Sequence, residues 1–175
     1  MIRHFKFVAF FFLLFFLIAN KTFAESSYVL PYPSRMPGSL SYKIHLIYEN
    51  VSKYWHFGNF GQFEYNLKMA DKYLVQAKTL FDYKQHLLGF DSLKKSNYYF
   101  NEILPSLNRA EKESKNISPK KSVLRKASRK HIEYLEKIDV DTPDIFIWEP
   151  EKSSPTTLLL KKILMDSINI RKDSL

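Results

Sequence analysis

The chain has 175 residues, with 27 lysines and arginines against 18 aspartates and glutamates. That length fits one domain, and a hydrophobic content of 45% is too high for a wholly disordered chain. The absence of cysteine excludes a disulfide scaffold, a thiolate zinc site and a cysteine nucleophile. A total of four glycines leaves no room for a glycine-rich phosphate loop or a dinucleotide fingerprint.

The N-terminal segment has the layout of a secretory signal peptide. Arg3 and Lys6 precede an unbroken apolar run over residues 7–19, and Ala24 follows the small residue Thr22 by two positions. This order predicts an exported protein, secreted or extracytoplasmic, with cleavage after Ala24. The apolar run is shorter than the about 20 residues that a membrane-spanning helix needs. An uncleaved N-terminal membrane anchor stays the alternative.

Removal of residues 1–24 changes the composition of the chain. Eight of the 15 phenylalanines and three of the 27 cations lie in this leader, so the mature chain carries 24 cations and 18 anions. Export argues against nucleic acid as a partner, despite this net charge of about +6. The partner stays open between an anionic envelope surface, formed by lipid head groups or wall polymers, and another envelope protein.

Residues 25–38 are predicted to form an extended lead, because Pro31, Pro33 and Pro37 are incompatible with a helix interior. Ser39 is a good N-cap for the helix that follows. Apolar residues then recur at steps of four and three, which is one face of a helix. They are Leu40, Ile44, Ile47, Val51 and Tyr54.

The second helix has the strongest periodicity in the chain, and it follows a predicted break over Phe57–Gly61. Its apolar positions alternate steps of four and three, as in a coiled-coil seam, and are Phe63, Leu67, Ala70, Leu74, Ala77 and Phe81. Charged residues, Asp71 and Lys72 among them, are placed on the other faces. This pattern predicts a helix that packs along a neighbouring helix.

Two further helices follow a turn between Tyr83 and Gly89. The third helix runs to about Lys115, and Pro105 inside it predicts a kink or a split. Its apolar positions are Leu93, Phe100, Ile103, Leu107 and Ala110. The fourth helix begins at Ser118-Pro119, a cap followed by proline at the first helical position. Its face is formed by Leu124, Ala127, His131, Leu135 and Ile138, and it ends near Asp139.

The rest of the chain is predicted as a loop over residues 140–155 and a last helix over residues 156–175. Within the loop, Ile145–Trp148 is a candidate for a short extended piece. No segment alternates with period two for long enough to predict a sheet. The predicted fold is therefore all-α, an antiparallel bundle of about five helices with its core in residues 39–139, after the signal peptide.

Prolines and tyrosines between Tyr28 and Lys43 form one motif, Leu-Pro-Tyr-Pro…Pro-x-Ser-x-x-Tyr. The positions are Pro31, Tyr32, Pro33, Pro37, Ser39 and Tyr42. This segment resembles the start of an exported bacterial domain family of unknown function, and residues 70–77 resemble a later block of that family. The chain departs from the family pattern at Ser34, Gly38, Leu40 and Tyr73. The resemblance implies an extracytoplasmic helical domain and implies no activity.

The tyrosines of the lead have two interpretations. Large rings could pin the lead across the bundle, or the Pro/Tyr segment could be a ligand that a partner recognises. Packing is the preferred interpretation.

Candidate catalytic or metal-binding groups are few. His45 and Glu49 lie four residues apart on one helix face and could share a metal or a hydrogen bond, although a solvated polar face is preferred. His131 lies on an apolar stripe, which favours a core histidine over a ligand. The cluster of Asp139, Asp141 and Asp144 resembles a calcium loop only in part and favours helix capping and turns. No catalytic, cofactor-binding or metal-binding residue is therefore assigned.

One feature exceeds background. Seven cations and no acid lie between Lys115 and Lys130. The candidate residues for binding an anionic surface are Lys120, Lys121, Arg125, Lys126, Arg129 and Lys130. A solvated helix face is the preferred interpretation, and binding of anionic lipid or cell-wall polymer is the alternative.

The sequence thus predicts a non-enzymatic, exported helical domain with a binding or scaffolding role in the cell envelope. A binder of anionic lipid or wall polymer through the 115–130 helix is the alternative. An enzyme of unrecognised type is a remote one.

Overall fold

A computed structural model of the chain describes residues 27–33, 36–37 and 40–175. The predicted signal peptide and the predicted N-cap Ser39 lie outside these residues. The described helices are α1 (Leu40–Ser52), α2 (Gly58–Asp82), α3 (His86–Asn101), α4 (Ile103–Lys112), α5 (Ser118–Asp141) and α6 (Leu160–Lys172). A short 3-10 helix (Lys53–Trp55) follows α1, and two strands, β1 (Ile145–Trp148) and β2 (Thr156–Leu159), precede α6. The mostly α-helical fold is confirmed.

Helix α2 is the central element, and it packs on α3, α4 and α5. Every residue of its predicted seam is buried, from Phe63 at one end to Phe81 at the other. The first half of the seam joins Phe100 and Leu124 in one core cluster, and the second half joins a cluster that includes Leu135. The predicted apolar faces of the third and fourth helices are likewise buried.

Pro105 splits the predicted third helix into α3 and α4, with Glu102 between them. A proline at this place has no N–H to donate to the carbonyl four residues earlier, so the helical ladder is interrupted. Glu102 keeps helical φ and ψ angles of −79° and −7°, which lets α4 start again at once. The predicted effect of this proline is confirmed.

The C-terminal region differs from the prediction. Thr156–Leu159 is not the first turn of the last helix but a strand that pairs antiparallel with Ile145–Trp148. The last helix begins at Leu160, whose N–H donates to the carbonyl of Asp144 at 2.9 Å. Helix α5 also continues to Asp141, two residues beyond its predicted end.

Helix α1 is turned the opposite way from an ordinary amphipathic helix, which packs its apolar stripe on the core. The predicted stripe is exposed: Ile44 by 63%, Ile47 by 65% and Val51 by 45%. Buried instead are Tyr42 and the carboxylate residue Glu49, which is only 4% exposed. The polar side of α1 therefore faces the bundle and its apolar side faces outward.

Among the described residues, no helix combines the length and the apolar character that a membrane crossing requires.

Candidate functional sites

Four of the six candidate cations come together on one side of α5. Lys121, Arg125 and Arg129 follow one another at steps of four, and Lys126 follows Ser118 and Ser122 at the same step. These two rows are adjacent on a helix, because residues three or four apart share a face. Together they line a shallow cleft of about 360 Å³. We call this surface the α5 basic face, made of Ser118, Lys121, Ser122, Arg125, Lys126 and Arg129.

The other two candidate cations lie elsewhere, which corrects the sequence-based set. Lys120 reaches Glu64 on α2, with its Nζ 2.5 Å from the Oε1 atom, and it also lies over the ring of Phe63. Lys130 is only 8% exposed, and its Nζ donates to Oε2 of Glu133 at 2.9 Å. Both cations are neutralised by a carboxylate and stabilise contacts of α5.

The electrostatics of the α5 basic face favour an anion. Within the described part of the chain, no carboxylate pairs with Arg125 or Arg129, and both are exposed. Lys121 has only a long contact, 3.9 Å, to an exposed carboxylate of Glu111. Ser118 opens the helix, so the positive end of the helix dipole adds to this charge.

A second polar cluster is buried between α2, α3, α5 and α6. Asp71 accepts two hydrogen bonds, from the hydroxyl of Tyr28 at 2.6 Å and from Nε2 of His131 at 2.7 Å. On the other side of the imidazole, Nε of Arg171 lies 3.3 Å from Nδ1 of His131. The guanidinium also donates to Oδ1 of Asn97 at 2.5 Å and to Oγ of Ser96 at 2.7 Å. We call these residues the buried Asp–His–Arg relay.

The partners fix the protonation of His131. Since Arg171 can only donate, Nδ1 of His131 is the acceptor, and Nε2 carries the proton that Asp71 accepts. Burial, together with the charge of Arg171, lowers the pKa of His131 below its usual value, so the ring is neutral at pH 7. Burial also lowers the pKa of Arg171 to about 9, and the guanidinium stays charged. The prediction of a core histidine is confirmed.

We expect acid to destabilise the fold through His131. Its stabilising contribution is complete above the pKa of an unfolded histidine, about 6.5, and is lost as the pH falls below that value. The reason is that the unfolded chain then binds a proton that the folded chain does not, with a slope of up to about 1.4 kcal/mol per pH unit. Urea unfolding between pH 7.5 and pH 5.0 measures this slope.

The matched control for this experiment is His86, whose pKa burial also lowers. His131→Gln should remove most of the pH-dependent loss, whereas His86→Gln, at a histidine that is only partly buried, should remove a smaller part of it. An equal slope in His131→Gln and the wild type would contradict the assignment.

A third polar cluster joins α1 to α2. The carboxylate of Glu49 pairs with Nζ of Lys72, accepts from the hydroxyl of Tyr73 at 3.0 Å and lies 3.2 Å from Nε2 of His45. The hydroxyl of Tyr65 donates to the main-chain carbonyl of Glu49 at 3.1 Å. The predicted solvated face for His45 and Glu49 is therefore wrong, because Glu49 is turned inward and neutralised. Lys72 lies off the seam of α2, as predicted, but it is buried there by its contact with Glu49 of α1.

The aspartates near the end of α5 have structural roles. Asp139 pairs with Lys161, its Oδ1 lying 3.1 Å from Nζ, and the carbonyl of Asp144 accepts from the first N–H groups of α6. The main chain of Asp144 therefore contributes to the turn before α6, whereas the side chain of Asp139 forms an ion pair and not a cap. Among the described residues, no three His, Asp or Glu side chains are placed to hold one metal ion.

The tyrosines of the lead do not act alike. Tyr28 and Leu30 pack on the two core clusters and tie the lead across the bundle, and Tyr42 is buried. Tyr32 is 95% exposed, between the exposed Pro31 and Pro33. Packing therefore explains Tyr28 and Tyr42 but not Tyr32.

Sequence periodicity could have found part of the buried relay. Leu160, Leu164, Ser167 and Arg171 follow steps of four, three and four, so Arg171 continues the buried stripe of α6. The sequence predicts that the last helix begins at residue 156, four residues before its observed start at Leu160, and this early start hid the stripe. Asp71 offers no such signal, since it borders the seam of α2 and its partners are distant in sequence.

Nothing matched the chain when it was compared with models of protein families, with characterised proteins and with solved structures. The resemblance of the lead to an exported family of unknown function stays a prediction.

Proposed function

We propose that the protein is a non-enzymatic, exported domain of the bacterial cell envelope that binds an extended anionic polymer along the α5 basic face. The observation that carries this proposal is the cleft in which Lys121, Arg125, Lys126 and Arg129 lie together. It deepens the scaffolding role expected from the sequence by naming the surface and the chemistry of the ligand.

The spacing of the cations suits a repeating ligand. Residues four apart on a helix are separated by about 6 Å along its axis, so Lys121, Arg125 and Arg129 form a row of three charges at that interval. A polymer that carries a phosphate or carboxylate group on each repeat can follow this row. The hydroxyls of Ser118 and Ser122 lie beside it and can donate to the same anions.

A polymer suits this face better than a lipid bilayer does. Binding to a bilayer interface is strengthened by apolar and aromatic side chains that enter the acyl boundary. The cleft is lined by serine, lysine and arginine residues, with no aromatic or aliphatic residue among them. The buried ionisable groups also support a role in binding rather than in catalysis. Asp71, His131 and Arg171 are hydrogen-bonded in contacts that hold the helices together, so they are not available to a substrate.

We expect removal of the four cations to abolish polymer binding. Each cation near a polyanion contributes about 1 kcal/mol, so Lys121→Gln, Arg125→Gln, Lys126→Gln and Arg129→Gln together should weaken binding by about 1,000-fold. Titration with polyphosphate and with polygalacturonate measures the loss and tells a phosphate preference from a carboxylate preference. The wild type should also lose affinity with salt, with a logarithmic slope of about 3 for four phosphate contacts.

The matched control removes four exposed cations outside this face. The residues are Lys137, Lys152, Lys162 and Lys172, each replaced with Gln. If both variants lose affinity equally, net charge rather than the α5 basic face explains binding. If the wild type binds neither polymer, the proposal is wrong.

A further inference from the structure

Within the described residues, the exposed apolar face of α1 is a feature that the fold leaves without a role. Its residues follow one another at helical spacing and continue into the short 3-10 helix. They are Ile44, Ile47, Tyr48, Val51, Tyr54 and Trp55, which are between 45% and 76% exposed. The rings of Tyr48 and Trp55 contact each other edge to face, with centroids 6.5 Å apart, so the two elements form one surface.

The orientation of α1 is fixed by the buried Glu49, together with the buried Tyr42, and not by its predicted apolar stripe. Glu49 lies on the opposite side of the helix, held by Lys72 and Tyr73. This contact turns the only acid of residues 40–57 into the protein and leaves the apolar face outward. An apolar surface kept outward in this way is typical of a docking site.

The chemistry of this face identifies a membrane surface. Tyrosine and tryptophan combine an apolar ring with a polar group, and this suits the boundary between lipid head groups and acyl chains. Lys43 and Lys53 are exposed at its two ends, and no exposed acid lies between them in the sequence. Two copies of this face would bring like charges together, whereas an anionic bilayer complements them.

We propose that the α1 apolar face lies in the interface of an anionic lipid bilayer. Ile44, Ile47 and Val51 enter the acyl boundary, Trp55 and Tyr48 lie at the level of the head groups, and the two lysines contact lipid phosphates. This inference does not depend on the α5 basic face.

The two tryptophans of the chain provide a direct test, because only Trp55 belongs to this face. Trp148→Phe leaves Trp55 as the only fluorescent tryptophan, and Trp55→Phe leaves Trp148. We expect vesicles of phosphatidylglycerol and phosphatidylcholine, brominated on their acyl chains, to quench Trp55 and not Trp148. Because the quenching of Trp55 reports the depth of this face itself, the measurement applies with or without the leader. Equal quenching of both tryptophans, or of neither, overturns the inference.

A pair of substitutions tests the apolar contacts. Ile44→Ser with Ile47→Ser should lower the vesicle partition coefficient of the Trp55 reporter about 30-fold, since two exposed isoleucines lose their burial in lipid. The control, Val29→Ser with Val140→Ser, changes two apolar residues elsewhere that are even more exposed, and it should not change the partition coefficient.

Two further outcomes overturn the inference. The first is loss of Trp55 quenching in the four-cation variant of the α5 basic face with full quenching in the isoleucine variant. The second is a dimer without lipid that the isoleucine variant abolishes, because a second copy would then occupy the face.

Discussion

Arg171→Met should lower the free energy of unfolding by about 3–5 kcal/mol, the usual cost of removing one partner from a buried charge pair. Arg171 is fully buried, and its positive charge lies across His131 from the carboxylate of Asp71, with which it interacts favourably. Its loss leaves Nδ1 of His131 and Oδ1 of Asn97 without a donor, and it leaves the charge of Asp71 uncompensated in the core. Methionine retains much of the volume, including the contact with the ring of Phe100, so the effect is mostly electrostatic. Urea unfolding at pH 7.5 measures it.

Lys172→Met is the matched control, because it removes a cation from the next position of the same helix, where the side chain is exposed. We expect it to change stability by less than about 0.5 kcal/mol. Asp71→Asn combined with Arg171→Met should recover part of the loss, since the unpaired carboxylate is then also removed. If Arg171→Met were no more destabilising than Lys172→Met, the relay would not hold the helices together.

Long periodic helices were the part of the fold that the sequence predicted well. The seam of α2 extends over about five turns, and a pattern of that length leaves one face that the core can bury. The hairpin was missed because strands of four residues are too short to show period two, and Thr156-Thr157-Leu158-Leu159 fits a helix start equally well. The orientation of α1 was missed because periodicity shows that a face exists and not what covers it.

The sequence predicted that cations are concentrated in α5, but not which of them lie together on one surface. A run of cations without acids indicated that α5 carries the candidate surface. The sequence does not show that Lys120 pairs with Glu64 on α2 and so does not belong to the α5 basic face. Lys130 pairs with Glu133 and is likewise not part of the α5 basic face. The relay of Asp71, His131 and Arg171 joins residues 40 and 60 positions apart, and no local pattern links them.

Glu49→Ala should release α1 from the bundle. The substitution leaves Lys72, which is only 9% exposed, without its carboxylate and leaves the hydroxyl of Tyr73 without an acceptor. Burial and the charge of Glu49 raise the pKa of Tyr73 well above its usual value, so this hydroxyl remains a donor that needs a partner. We expect a loss of about 3 kcal/mol, confined to α1. Hydrogen exchange should then show fast exchange of α1 amides and unchanged protection in α2.

Two variants distinguish loss of the buried ion pair from a general loss of helix stability. Glu49→Leu with Lys72→Met replaces the buried pair by apolar side chains and should restore protection of α1, because such replacements are often neutral or stabilising. Glu133→Ala, the matched control, removes a carboxylate from ion pairs nearer the surface and should cost less than about 1 kcal/mol. Unchanged exchange of α1 in Glu49→Ala would contradict the role of the pair.

Glu49→Ala also tests whether lipid binding depends on the orientation of α1 or only on the presence of its apolar residues. Without the buried carboxylate, a released α1 no longer holds its apolar stripe in one fixed, outward orientation. Glu49→Ala should therefore weaken Trp55 quenching by brominated vesicles although every residue of the α1 apolar face is still present. If quenching persists while α1 amides exchange freely, the face binds lipid without a fixed orientation. Only the combined loss of amide protection and of quenching supports a charge that holds the apolar face outward.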